Sequence, residues 1–235
     1  MMQAFERHFD TLQSAILERE YDVRTTADCP CGQEPASFRC EECFDAAPSC
    51  KSCLLSGHHH LPFHHVQRWD NTHFVRTSLG KLGLVIFLGH NMRRCPNAPI
   101  NSNGRPFVTV HTNGIHIINI NFCFCNDATD DLYQLTSAGL FPATTDKPET
   151  VFTFTMLKDF HAHTLASKKS AYDHFFALRK LTNNAFPDHT PVSTRFVLVY
   201  PLHGNHVVIG SLSWISPSRS SVEVLDVCSP CRPGS

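Results

Sequence analysis

Eleven cysteines and sixteen histidines in 235 residues are far too unevenly placed to be ordinary core filler. The densest run reads Cys29-x-Cys31-x8-Cys40-x2-Cys43-x6-Cys50-x2-Cys53-x4-His58-x5-His64, four short-spaced pairs of donors within 36 residues. Tetrahedral zinc takes four nitrogen or sulfur donors, and a closely spaced Cys pair offers two thiolates from one turn of backbone. Eight donors imply two ions. The alternation of the pairs implies interleaving, with Cys29, Cys31, Cys50 and Cys53 on one ion and Cys40, Cys43, His58 and His64 on the other. A segment this short builds no sufficient core of its own, whereas structural zinc supplies on the order of 10–16 kcal/mol per site in small fingers. Catalytic zinc needs an open position for water, and eight donors on two ions leave none.

The closing histidines are crowded: His58, His59, His60, His64 and His65 are all within reach, and the spare ones are expected on the surface. The interleaving and the texture Cys-Gly-x-x-x-x-x-Phe-Arg-Cys-Glu-Glu-Cys resemble the cross-braced B-box fingers of tripartite-motif proteins. A looser set, His90-x4-Cys95-x27-Cys123-x-Cys125, offers four donors for a third ion, with His111 or His116 as substitutes. The competing reading is that these are buried free thiols behaving as small hydrophobes. Cys228 and Cys231 form a further C-x2-C pair in the tail, read as ordinary thiols in preference to a metal site.

The elements that must carry these donors follow from periodicity. Phe5, Phe9, Leu12 and Ile16 form a helical stripe within residues 4–24, an amphipathic helix expected to pack on its own domain. Between Phe107 and Cys125 the pattern is β, with Asn113-Gly114 as a two-residue hairpin turn. Strict alternation along the second strand would place Ile118, Ile120, Phe122 and Phe124 on one face and Cys123 and Cys125 on the other. Phe152-Thr153-Phe154 reads as a short strand and residues 156–182 as one helix, stopped by Asn183-Asn184 and Pro187. The sum is a small zinc-stabilised α+β protein. A B-box-like double finger at 29–65 precedes a zinc-chelating α+β domain at 82–185, with a β-hairpin and a C-terminal helix, and residues 192–235 read as a disordered tail.

Several function classes are excluded. At 42% hydrophobic and 17% charged residues the chain is of globular composition, and its formal charge of −1 makes it neither a polybasic nucleic-acid glue nor an acidic tail. H-E-x-x-H, the zinc-deaminase pattern, a P-loop, G-x-S-x-G and the kinase set are all missing. A RING-type ligase would need a Cys-rich closing pair in place of His58 and His64, and a nuclease would need clustered carboxylates. His161-Ala162-His163 on the long helix reads as surface. The N-terminus lacks an apolar signal region, Leu84–Leu88 is too short to cross a bilayer, and Phe196–Ile215 is interrupted by Pro201, His203, Gly204, Asn205 and His206. An intracellular, reducing compartment is expected, where clustered cysteines hold metal. One local imbalance stands out: Asn71–Asn126 has no acidic residue but carries Arg76, Lys81, Arg93, Arg94 and Arg105, a candidate phosphate-contacting set of modest, salt-sensitive affinity.

The first cluster is followed by Pro62-Phe63-His64-His65-Val66-Gln67-Arg68-Trp69, Leu79-Gly80-Lys81-Leu82-Gly83-Leu84, Leu88-Gly89-His90 and Cys95-Pro96. Then come Asn113-Gly114-Ile115-His116, Phe122-Cys123-Phe124-Cys125 and Gly139-Leu140-Phe141-Pro142-Ala143-Thr144. In this order, from about Phe5 to Pro191, the chain resembles the N-terminal region of fungal KDZ (Kyakuja-Dileera-Zisupton) transposases, with its CxC-type cysteine cluster. The resemblance implies a non-enzymatic zinc-chelating accessory module of a DNA transposon, directed to DNA or chromatin in the nucleus. DNA and other transposon-encoded or chromatin proteins are the implied partners, with no membrane and no small-molecule substrate. In such proteins an RNase H-like catalytic domain lies downstream, whereas here Val192-Ser193-Thr194-Arg195 leads into a Ser/Pro/Gly-rich tail, so a truncated copy without transposition activity is expected. The alternative is a protein–protein interaction module built from the N-terminal helix and the B-box-like finger.

Overall fold

Short pairs of extended residues, each ending beside a thiol or an imidazole, shape the first half of the chain. The computed structural model describes residues 5–22, 24, 25, 27–99, 103–125, 128, 130–190, 195–202 and 206–213, the last two stretches as backbone only. Cys228 and Cys231 lie outside the described residues. The chain divides into two units after Leu84.

In the first unit, helix α1 (Phe9–Glu20) is followed by strand β1 (Phe38–Cys40), helix α2 (Lys51–Gly57), β2 (Val66–Trp69) and β3 (Phe74–Thr77). The strands form one antiparallel sheet in the order β1-β2-β3, with Cys40 opposite Val66 and Val66 opposite Thr77. Its buried apolar core consists of Phe38, Leu54, Val66, Leu79 and Leu84. The α1 stripe differs from its expected packing: the helix has no buried residue, and Phe5, Phe9 and Ile16 are more than three-fifths exposed. Among the described residues its C-terminal end is tied down by the Arg39 guanidinium, which donates to the carbonyls of Arg19 and Glu20 at 2.9 and 3.2 Å.

The second unit is built on a five-stranded mixed sheet, β4 (Val85–Phe87), β5 (Arg105–His111), β6 (Gly114–Asn121), β7 (Leu140–Pro142) and β8 (Thr150–Thr153), in the order β4-β6-β5-β8-β7. β4 runs parallel to β6 and β5 parallel to β8, and the other neighbours are antiparallel. The β5–β6 hairpin pairs His111 with Gly114, so its two-residue turn is Thr112-Asn113, one position earlier than the Asn-Gly signal suggests. Helix α3 (Asp131–Ser137) precedes β7, and helices α4 (Phe154–Ser167) and α5 (Ala171–Thr182) pack Met156, Leu157, Phe175 and Leu178 against Val110, Ile115, Ala143 and Phe152.

The single helix expected over 156–182 is thus two. Lys168 adopts a left-handed conformation (φ 51°), and Ser170 accepts the Asp173 N–H to cap α5. Ser170-x-x-Asp173 is a capping signature inside the apparent run. The disorder expected after residue 192 does not extend over β9 (Arg195–Leu202) and β10 (His206–Ser213), which pair antiparallel. Residues 196–202 and 206–213 of the interrupted apolar run are therefore strand. No helix among the described residues is long and apolar enough to cross a membrane.

Candidate metal centres

Three groups of four donors come together: Cys29, Cys31, Cys50 and Cys53; Cys40, Cys43, His58 and His64; and His90, Cys95, Cys123 and Cys125. Within each group the ligand atoms all lie within 4.8 Å of one another. The pairs of the first two groups interleave along the chain in the order first, second, first, second.

In the first unit the backbone explains why these positions converge. Gly32, at φ 68°, turns the chain after Cys31, and the Gly32 N–H returns to the Cys29 carbonyl at 2.7 Å. Cys50 caps α2, its sulfur accepting the Cys53 N–H at 3.5 Å, so one helical start presents two thiols. The Cys40–Cys43 turn repeats this contact at 3.3 Å. The Cys50 N–H also donates to the Cys29 sulfur at 3.2 Å, locking the first pair onto the third. Because Cys40 ends β1 and the Glu41 N–H continues the ladder to the His65 carbonyl at 2.9 Å, strand register carries His64 to the second group.

The tautomer of His58 is fixed. Its Nδ1–H donates to the Leu54 carbonyl at 2.8 Å, leaving the Nε2 lone pair directed at the Cys43 sulfur, 3.5 Å away. An orienting carbonyl of this kind is the usual partner of a metal-binding imidazole. His64 faces the same group through Nδ1, 3.4 Å from Cys40 and 3.5 Å from Cys43. The spare histidines are set aside in different ways. His65 is not a surface residue as expected but lies against Glu42, with its Nδ1 2.8 Å from Oε1, while His59 and His60 contact each other ring to ring.

The third centre sits beyond the ends of the parallel strands β4 and β6. Phe87 pairs with Asn121, so the following residues of both strands leave the sheet at the same edge. β6 ends at Asn121, two residues before Cys123, and the alternation expected through Phe124 stops with it: Phe122 is buried, but Phe124 is half exposed. Its N–H instead donates to the Cys95 sulfur at 3.4 Å. On the other side, Gly89 (φ 74°) opens a left-handed turn in which His90, Asn91 and Met92 have φ values of 47°, 53° and 61°. Left-handed backbone costs non-glycine residues about 1–2 kcal/mol each, and strain of this kind collects where a side chain must be aimed. Here it aims the His90 Nε2 at Cys123 (3.2 Å) and Cys125 (3.3 Å). His111 and His116 do not serve as substitutes: they bond to Thr153 and Asn113, respectively, each at 2.8 Å.

The spacings test the fit to a metal. An ion held at about 2.3 Å by sulfur and about 2.0–2.1 Å by imidazole in a tetrahedron sets edges of about 3.8 Å for S···S and about 3.5 Å for S···N. The Cys31–Cys50 and Cys95–Cys125 sulfurs are 3.6 and 3.8 Å apart, Cys123–Cys95 is 4.0 Å, and the sulfur–nitrogen distances fall between 3.2 and 3.5 Å. All three groups could hold a metal ion.

The electrostatics agree with the geometry. Backbone N–H groups of Cys31 and Cys50 pull the Cys29 thiol down to about 6, and the Phe124 N–H does the same for Cys95. Neighbouring sulfurs led by Cys31 push Cys53 up to about 12, and those led by Cys123 push Cys125 up to about 11. Burial, followed by the Cys40 thiol, raises Cys43 to about 11. In the first and third groups one thiol is drawn towards its ionised form while a neighbour is held protonated; a divalent cation at the centre would remove that conflict.

The five basic residues are less uniform than their run suggests. Arg76 pairs with Glu41 at 2.7 Å, and Arg105 pairs with Asp131 at 3.1 Å while lying over the Phe107 and Phe122 rings. Both acids lie outside Asn71–Asn126, which is why the local count hid them. Lys81, Arg93 and Arg94 are exposed, and Arg94 donates to the Pro99 carbonyl.

Among family models, that of the CxC2-like cysteine cluster associated with KDZ transposases matches residues 79–186. This stretch contains His90, Cys95, Cys123 and Cys125 and is narrower than the resemblance from Phe5 to Pro191, leaving the eight donors of residues 29–64 outside it. No curated protein and no solved structure matches the chain.

Proposed function

We propose that this chain, whose residues 79–186 carry a CxC2-like cysteine cluster associated with KDZ transposases, is a non-catalytic zinc-binding module of a transposon protein that acts on DNA or chromatin in the nucleus. The observation that carries the reading is the grouping of the donors: three sets of four, each set within 4.8 Å, would fill a tetrahedral shell and leave no position for water. Such sites fold and stiffen a chain; they do not activate a nucleophile. Cysteine-rich donor sets select zinc over hard cations, and the interleaved order of the two donor groups in residues 29–65 supports the reading of a B-box-like finger with two ions.

Contact with DNA would come through Arg93 and Arg94, which directly precede the ligand Cys95, with Lys81 as a further phosphate contact. Gel retention of a duplex by the zinc-loaded chain tests this. Arg93→Ala with Arg94→Ala should abolish retention at moderate salt and flatten the dependence of log K on log salt by roughly 2. Unchanged retention would overturn DNA contact through this pair. It would favour the second reading, a protein–protein interaction module, which has its own support in the open α1 face of Phe5, Phe9, Leu12 and Ile16.

A further inference from the structure

Two exposed phenylalanines stand directly beside thiols of the donor groups. Phe44 follows Cys43 and is fully exposed, while Phe124 lies between Cys123 and Cys125 and is half exposed. An exposed ring contributes little to the fold, since burial is what makes apolar area stabilising. The two rings differ in the charge around them. Glu41, Glu42 and Asp45 lie within three residues of Phe44. Phe124 instead shares its donor group with Cys95, which the exposed Arg93 and Arg94 directly precede. Arg94 donates to the Pro99 carbonyl, and Arg93 is in no ion pair among the described residues. Asp130 and Asp131, further along the chain, are engaged: Asp130 accepts the Tyr133 N–H to cap α3, and Asp131 pairs with Arg105.

The backbone around Phe124 is held on three sides. Its own N–H donates to the Cys95 sulfur at 3.4 Å. The Cys123 N–H donates to Gln134 Oε1 at 2.8 Å, and Gln134 Nε2 donates back to the Cys123 carbonyl at 3.3 Å. Cys125 places its sulfur 3.3 Å from His90 Nε2. An aromatic ring on so constrained a backbone loses little conformational freedom when a ligand covers it.

We propose that Phe124 is a base-stacking group and that the third centre presents it, beside Arg93 and Arg94, to single-stranded DNA. This rests on the reading of DNA contact through those two arginines and adds the form of the DNA. An aromatic side chain stacks on a base whose face is open, and a paired duplex closes its base faces against one another. Cationic side chains that track phosphates, combined with aromatic rings that stack on bases, are the composition of single-strand sites. The acidic setting of Phe44 repels phosphate, which makes Phe44 the internal control.

The zinc-reconstituted full chain is titrated into a labelled oligo-dT of about 12 nucleotides and into a duplex of the same length, with fluorescence anisotropy as the readout. The single strand should bind more tightly than the duplex. Phe124→Ala and Phe124→Leu should each weaken single-strand binding by about 5- to 150-fold, the range for one lost base stack. Phe124→Trp should hold the affinity, and Phe44→Ala should leave it unchanged. Leucine keeps the apolar bulk but has no ring face, so the contrast between Phe124→Leu and Phe124→Trp separates stacking from plain apolar contact. Wild-type affinity in Phe124→Leu, or a duplex bound as tightly as the single strand, overturns the stacking role. If Arg93→Ala with Arg94→Ala abolishes binding in that case, phosphate contact stands without it; if neither form of DNA binds, both readings fall.

Discussion

Residues 29–64 and residues 85–186 gather the same kind of donors, yet they would stand in opposite relations to a bound metal. The first unit brings eight donors beside a main apolar cluster of five buried side chains, and its two donor groups interleave along the chain. The second has a five-stranded sheet covered by two helices, and its single centre lies past the strand ends, outside the main cluster of Val110, Phe152, Leu157 and their neighbours. In one an ion would substitute for a core. In the other it would fasten loops that a core has already brought close.

The sharpest way to break this comparison is to remove metal. Strong chelation should abolish amide-exchange protection throughout residues 29–64, while β5, β6 and β8 keep theirs, because binding energy is folding energy only where no other core exists. Equal loss in both regions would erase the distinction. Cys50→Ser should reproduce the chelation result in the first unit, since this buried residue is at once donor, helix cap and neighbour of Cys29. Cys125→Ser, at the loop centre, should release its ion with the sheet intact by circular dichroism.

The converse perturbation is Phe152→Ala, which empties a 1%-exposed position in the second unit. It should cost about 3–5 kcal/mol in denaturant unfolding of the sheet without changing protection at Cys40 or Cys50. A smaller effect is expected at the left-handed turn. Gly89, at φ 74° and ψ −173°, occupies a region almost closed to other residues. Gly89→Ala should cost about 1–3 kcal/mol and loosen the His90 side of the centre, read as faster transfer of that ion to a chelator. Smallest is Ser170→Ala, which removes the α5 cap for about 1 kcal/mol and leaves the metal count unchanged.

Donor spacing made the centres readable in the sequence, because two cysteines with one or two residues between them are presented together by a local turn. Cys95 and Cys123 were readable for a different reason: the chain returns through a hairpin whose strands show in the sequence. What did not show depends on where a strand or helix stops. Alternation placed Phe124 on the apolar face of the strand, but pairing ends at Asn121 and the Phe124 N–H turns to the Cys95 sulfur. A continuous apolar face hid the break at Lys168, although Ser170 and Asp173 carried the cap that marks it. The charge run concealed ion pairs because Glu41 and Asp131 come from outside it. The α1 stripe has clear periodicity, but periodicity does not say whether a partner is present, and none of its side chains is buried.

The most direct test of three closed cysteine centres is the number of zinc ions retained per intact chain by native mass spectrometry. Three ions per chain are predicted, one for each set of four donors; two or fewer would contradict the three-centre account.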